Sequence, residues 1–250
     1  MQQFLIIAYW FVLLTLIVSI LTGLIIGLSF LLRPKSDKRP DLFFGGLLVT
    51  LGLTLTHNLM VHTEVFIRNP QLLFLPVYYT LWFGPLYFYF VKLKLYPQYQ
   101  IRWTDAKHLI LPLGQLLFLI FTFFNTAEIK STIGRNFFSP FYGGVEMLLY
   151  VTTFFGYLYF AYRYIKSKRT EVRSSTDKSE GTKVAWLQRM SKVLFILFGI
   201  NAVYIFTDFL SYEVLDINLH LLKGFDYIGS LSFASLLGWL GFNGLVMRKI

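Results

Sequence analysis

Apolar residues run on along most of this chain instead of alternating with polar ones or keeping to one helical face. Crossing a hydrocarbon core about 30 Å thick takes roughly 20 such residues in a helix. Seven stretches have about the right length: 4–32, 41–63, 72–95, 109–125, 144–165, 193–213 and 225–247. The polar breaks between them carry stop signals. Arg33-Pro34-Lys35-Ser36-Asp37-Lys38-Arg39-Pro40 closes the first span with prolines and cations that end a helix and hold a loop in water. The third span carries Pro76 and, mid-span, Pro85, which predicts a kink that neighbouring helices accommodate. The fourth is short but uncharged, and the sixth should extend inward along the amphipathic stretch 184–192. The first is too long for a secretory signal and has only Met1, Gln2 and Gln3 before it, so it should be a retained helix. The expectation is an all-α integral membrane protein: one seven-transmembrane-helix bundle over 1–250, with a flexible loop at 166–183 rich in Ser, Thr, Lys and Glu.

Composition strengthens this class. Hydrophobic residues are 56% of the chain, mean hydropathy is +0.58, and charged residues are only 14%, against about 25% in a soluble domain. The absence of cysteine excludes disulfides, thiolate metal sites and cysteine nucleophiles. A net charge of +10 would point to nucleic acid in a soluble protein. Here the cations sit in short loops beside apolar spans, which is the pattern of membrane orientation.

The loops after spans one, three and five, with their flanks and the C-terminal end, hold Arg33, Lys35, Lys38, Arg39, Lys92, Lys94, Arg102, Lys107, Arg163, Lys166, Lys168, Arg169, Arg173, Lys178, Lys183, Arg189, Lys192, Arg248 and Lys249. The opposite side keeps only Arg68, Lys130, Arg135 and Lys223. That bias predicts an N-terminus outside and a C-terminus in the cytoplasm of a bacterial inner membrane.

With this orientation most polar groups in or near the spans fall in the outer half. Span two brings His57, Asn58 and His62, with Glu64 just beyond. Span six sets Asn201, Tyr204 and Asp208 on one stripe, and span seven opens with Asp226 and Tyr227, Ser230 lying one turn on. Glu146, Glu213 and Asp226 are near enough to the surface that alone they indicate nothing. An ionisable group at membrane depth costs several kcal/mol, so it faces the bundle interior and finds a partner. Asp208 and His57 are the leading candidates for such a pair. His57, Asn58, His62, Asn201, Tyr204, Asp208 and Asp226 together outline a candidate outward pocket for a small ligand or peptide.

Two other readings stand beside that one. The first is plain interhelical hydrogen bonding. The second is a metal site of imidazole and carboxylate, but His57 and His62 lie about 140° apart around a helix, whereas His57 with Glu64, or Asn58 with His62, would share a face. No metal or cofactor is assigned. Tyr78, Tyr79, Tyr87 and Tyr89 with Trp82 read as belt or packing residues, and Trp10, Trp103 and Trp186 as interface anchors. Asp105 suits a helix start better than an acid–base pair with His108.

No HExxH, Gly-x-Ser-x-Gly, Walker loop or His-rich box is present, and span seven has no lysine of the kind that anchors retinal. Three functions follow in order: a sensory module reporting to a cytoplasmic regulator, a small-solute transporter or channel, and an outer-leaflet enzyme using His57, His62 and Asp208. An enzyme has the least support.

Trp82-Phe83-Gly84-Pro85-Leu86-Tyr87-Phe88-Tyr89, then Leu95-Tyr96-Pro97, Arg102-Trp103-Thr104-Asp105 with His108 and Pro112, Trp186-Leu187-Gln188-Arg189 and Gly241-Phe242-Asn243-Gly244 carry a resemblance to a known family. Over roughly residues 40–250 the chain resembles the membrane-spanning N-terminal region of AraC-type transcriptional regulators of Bacteroidetes-like bacteria. In that family a helix-turn-helix domain follows the last span. Here the sequence stops at Arg248-Lys249-Ile250, so the resemblance implies the membrane half alone, with lipid as its surroundings and no direct nucleic-acid partner.

Overall fold

Long uninterrupted apolar runs fold as helix because a bilayer offers no partner for backbone N–H and C=O groups, and a helix satisfies them internally. All secondary structure among the described residues is helical. The computed structural model describes 2–33, 39–134, 143–173 and 178–247. The helices are α1 (Gln2–Leu31), α2 (Arg39–His62), α3 (Val65–Arg68), α4 (Phe83–Leu95), α5 (Ile110–Phe123), α6 (Ala127–Ile133), α7 (Gly143–Arg173), α8 (Lys178–Phe209) and α9 (Lys223–Met247). A 3-10 turn, Trp103–Leu109, leads directly into α5. Six segments are long and apolar enough to cross a membrane: those of α1, α2, α5 with its 3-10 lead, α7, α8 and α9. The chain is a multi-pass helical membrane protein.

Three expectations need correcting. The third span is not one helix over 72–95. A 3-10 turn at Pro70–Leu72 and another at Thr80–Trp82 bracket a non-helical stretch, and α4 itself has 13 residues. Pro76 lies in that stretch, where its missing N–H and locked φ oppose helix, and Phe74 takes a left-handed φ of 60°. The predicted kink at Pro85 is absent in that form, because Pro85 falls in the first turn of α4, where proline costs nothing. The loop at 166–183 is likewise largely helical: α7 runs on to Arg173 and α8 begins at Lys178, tied by Lys168 to Glu171 and Glu180, each at 3.2 Å. Residues 174–177 of that loop, and the polar break at 34–38, lie outside the described residues.

The helices form a closed ring. In order around it, α1 packs on α2, α2 on α4, α4 on α7, α7 on α8, α8 on α9, and α9 back on α1. α5 stands outside this ring and leans chiefly on Thr80–Trp82. Where α1 meets α2, Gly27 and Gly45 bring the backbones together: a Cβ on Gly45 would sit 2.8 Å from the Gly27 carbonyl oxygen. Small residues allow this approach and the dispersion contacts that hold helices together in lipid. The two ends of the bundle are named here by α2: the Arg39 end and the His62 end.

Candidate functional site

At the His62 end, α2, α7, α8 and α9 splay around a cavity of about 360 Å³. Its lining includes Asn58 and His62 from α2, Met147 and Tyr150 from α7, Asn201, Tyr204 and Asp208 from α8, and Asp226, Gly229, Ser230 and Phe233 from α9. Tyr78 of the non-helical stretch and Thr80 of the 3-10 turn that follows it complete one wall. The ring of Tyr204 lies over Gly229, where a Cβ would come within 2.2 Å of it, so only glycine admits this packing. His62 Nε2 meets Ser230 Oγ at 2.5 Å, joining α2 to α9. Asn201 donates to Ser232 Oγ at 2.9 Å, joining α8 to α9.

Asp208 is 9% exposed, and it pairs with a histidine outside the spans. His220, in the short 3-10 turn Leu219–Leu221 between α8 and α9, bridges two carboxylates. Its Nε2 lies 3.0 Å from Asp208 Oδ1 and hydrogen-bonds Oδ2 at 3.2 Å, and its Nδ1 meets Asp226 Oδ1 at 2.5 Å. Asp208 Oδ1 is buried and accepts no hydrogen bond. The hydrogen bond to Asp208 does most to raise the imidazole pKa, burial opposes it, Asp226 adds to it, and the result is about 9. His220 is therefore a cation at neutral pH, stapling the loop across the cavity mouth.

Six of the seven residues singled out from sequence line this one cavity: Asn58, His62, Asn201, Tyr204, Asp208 and Asp226. His57 does not, and the expected His57–Asp208 pair is not formed. On α2 the face shared by Asn58 and His62 points to the cavity, which turns His57 away. Its ring sits between Phe66 and Tyr78, centroids 5.1 Å from each, and its Nδ1 is buried without a hydrogen bond. Among the described residues no three His, Asp or Glu side chains gather as a metal centre would require.

A second polar cluster lies behind the cavity wall. Glu146, Gln115 and Thr80 are 5%, 2% and 3% exposed. The Gln115 amide donates to Glu146 Oε1 and, at 2.9 Å, to Thr80 Oγ1, while its oxygen accepts from the Leu81 N–H at 3.2 Å. Thr54 Oγ1 accepts from the Tyr79 N–H at 2.9 Å. These bonds satisfy the backbone where the third segment leaves the helix, the condition under which irregular backbone survives at membrane depth. Position near a span end hid Glu146 from sequence reasoning, and Gln115 gave no signal beyond being the one mid-span amide of an apolar run that ends in Asn125. His220 was not anticipated because it lies in the loop between α8 and α9, where helical spacing places no side chain; an isolated imidazole between two acid-bearing helices was the available sign.

Toward the Arg39 end the interior is aromatic and closed. Phe83, Tyr87, Phe90 and Phe198 are fully buried. Phe154 and Phe198 pack edge to face with centroids 4.3 Å apart, and Tyr87 reaches Ser191 Oγ at 2.6 Å. Lys92 Nζ sits 3.5 Å from the centroid of the Tyr99 ring, whose hydroxyl donates to Asp105 at 2.8 Å. Asp105 also accepts from the Arg102 N–H at 2.8 Å, at the start of its 3-10 turn, while His108 bonds the Tyr157 hydroxyl at 2.7 Å instead of Asp105.

No protein-family model, curated protein or solved structure matches the chain.

Proposed function

We propose that this protein is a seven-span membrane sensor, N-terminus outside and C-terminus in the cytoplasm, whose outward cavity binds a small ligand and whose cytoplasmic helix ends report to a separate regulator. The seventh crossing is the stretch from about 72 to Leu95, irregular in its first half and helical in its second. The nineteen-to-four division of cations supports the orientation. The observation that carries the function is the asymmetry of the interior. Polar side chains of α2, α8 and α9 converge on one cavity at the His62 end, and buried aromatics shut the way to the Arg39 end. A cavity with a few convergent polar groups is the form small-ligand sites take. Ligand binding would alter how α7 and α8 pack, and both helices continue well past the apolar region toward the cytoplasmic side. The resemblance to the membrane half of AraC-type regulators fits a partner that itself binds DNA.

A transporter is the second reading, favoured by one feature: broken helices lined by polar groups mark substrate sites in transporters. One experiment separates them, and the natural absence of cysteine makes it clean. A single cysteine at Met147, on the cavity wall, should react with an impermeant cationic thiol reagent in whole cells and stay protected in inside-out vesicles. Reaction from the vesicle side alone overturns the orientation. Reaction from both sides replaces the sensor with a transporter.

A further inference from the structure

We propose that the cavity takes a small organic cation, an ammonium or guanidinium group seated on Asp208, and that His220 is the tethered cation it displaces. This rests on the reading of the cavity as a ligand site and adds the class of ligand. Two carboxylates, Asp208 and Asp226, and two imidazoles, His62 and His220, line the cavity, with no Lys or Arg among its lining residues. An anionic ligand would face Asp208 and Asp226 with only the His220 imidazolium to answer them. The buried Asp208 Oδ1 accepts no hydrogen bond, and the charge beside it is the His220 ring at 3.0 Å. A neutral donor would fill the hydrogen bond but leave the carboxylate charge unanswered once His220 swings out, whereas an ammonium or guanidinium group supplies both.

The walls suit the rest of such a molecule. Tyr78, Tyr150, Tyr204 and Phe233 offer ring faces, which attract cations through their quadrupoles. Asn58 stands among them with a side-chain amide able to accept from an N–H donor. The volume, about 360 Å³, lies in the range of small-ligand sites. His220 comes from a loop and its side chain is 47% exposed, so it can swing out without disturbing a helix. Asp216, at the start of the same loop, holds a left-handed φ of 55°, a conformation that costs a non-glycine residue energy and gives the loop a reason to rearrange.

The test uses tyramine and its neutral counterpart 4-ethylphenol, which differs only in lacking the amino group, with affinity read by calorimetry on the purified full-length protein in nanodiscs. Tyramine should bind at least tenfold more tightly than 4-ethylphenol. Asp208→Asn should remove that preference, Asp208→Glu should retain part of it, and His220→Ala should raise tyramine affinity several-fold. Each variant is first checked for a wild-type helical spectrum, and Asp226→Asn replaces Asp208→Asn if the latter misfolds. Equal binding of the two probes overturns the cation proposal and leaves the ligand cavity standing. An unchanged preference in Asp208→Asn moves the cation off this carboxylate and also overturns the proposal. Binding of neither probe, by wild type or by His220→Ala, overturns the cation proposal and the ligand-cavity reading together.

Discussion

The two ends of the bundle solve the problem of holding helices together in lipid by different means. At the His62 end the helices are joined by a few polar bonds around a void: His62 to Ser230, Asn201 to Ser232, His220 to Asp208 and Asp226. At the Arg39 end they are joined by interlocked rings, and polar atoms between neighbouring helices appear as single stitches such as Tyr87 to Ser191. The cavity there, of about 290 Å³, lies between α4 and the Trp103–Leu109 turn and is lined mostly by apolar and aromatic side chains. In lipid, interhelical hydrogen bonds average well under 1 kcal/mol each, whereas a buried aromatic gathers dozens of dispersion contacts. On the proposed sensor reading, the contrast teaches that stability and response belong to different ends. The aromatic end fixes the fold, and the polar end is built to be rearranged.

The sharpest way to break that contrast is to damage the aromatic end. Phe83 is fully buried against Tyr150, Phe154 and Phe233. Phe83→Ala should cost about 3–5 kcal/mol through lost packing and the cavity left behind, seen as a large drop in unfolding temperature in detergent. A loss no greater than that of a polar-end variant would erase the division proposed here.

The next effect tests the junction between the ends. Gln115→Leu leaves Glu146 buried without its amide partner and the Leu81 N–H without an acceptor. The expected cost is about 2–3 kcal/mol, with hydrogen exchange rising first at Tyr79–Leu81. Uniform exchange along the chain would mean that this cluster does not hold the irregular segment.

The smallest effect belongs to the polar end. The His220 pKa is raised, from 6.5 to about 9, so its clamp contributes fully below about pH 6.5 and is lost as pH rises through about 9. The groups facing it are Asp208 and Asp226. Because the imidazole is about half exposed, solvent screening reduces the contribution to roughly 1 kcal/mol. Unfolding temperature should therefore fall modestly from pH 6.5 to 9 in the wild type and stay flat over that window in His220→Gln. An equal slope in both would remove His220 from the clamp.

Much of the helical pattern was legible because hydropathy is a local property, visible in any window of about 20 residues. The stretch 72–82 was not, since its side chains are as apolar as a helix requires. What keeps it irregular is Pro76 together with partners far along the chain, Thr54 and Gln115. The candidate cavity was partly legible for a similar reason. Asn58 and His62, or Asn201, Tyr204 and Asp208, share helical faces by spacing alone. Which face of α2 looks inward depends on α9, and that decided against His57. The partner of Asp208 came from a loop, where periodicity carries no information.

The closing of the ring by α9 on α1 has a consequence for how the protein is made. These neighbours are separated by roughly two hundred residues of chain, so their contact is among the least local in the fold. At a synthesis rate of about 5–20 residues per second, α1 waits roughly 10–40 s in the bilayer before its partner emerges. Throughout that interval the α1 surface that α9 will cover, including Gly23 where Leu237 later seats, is open to lipid and to other nascent chains. Biogenesis therefore has a vulnerable period set by chain order, and insertion factors that shelter the first helix would act during it.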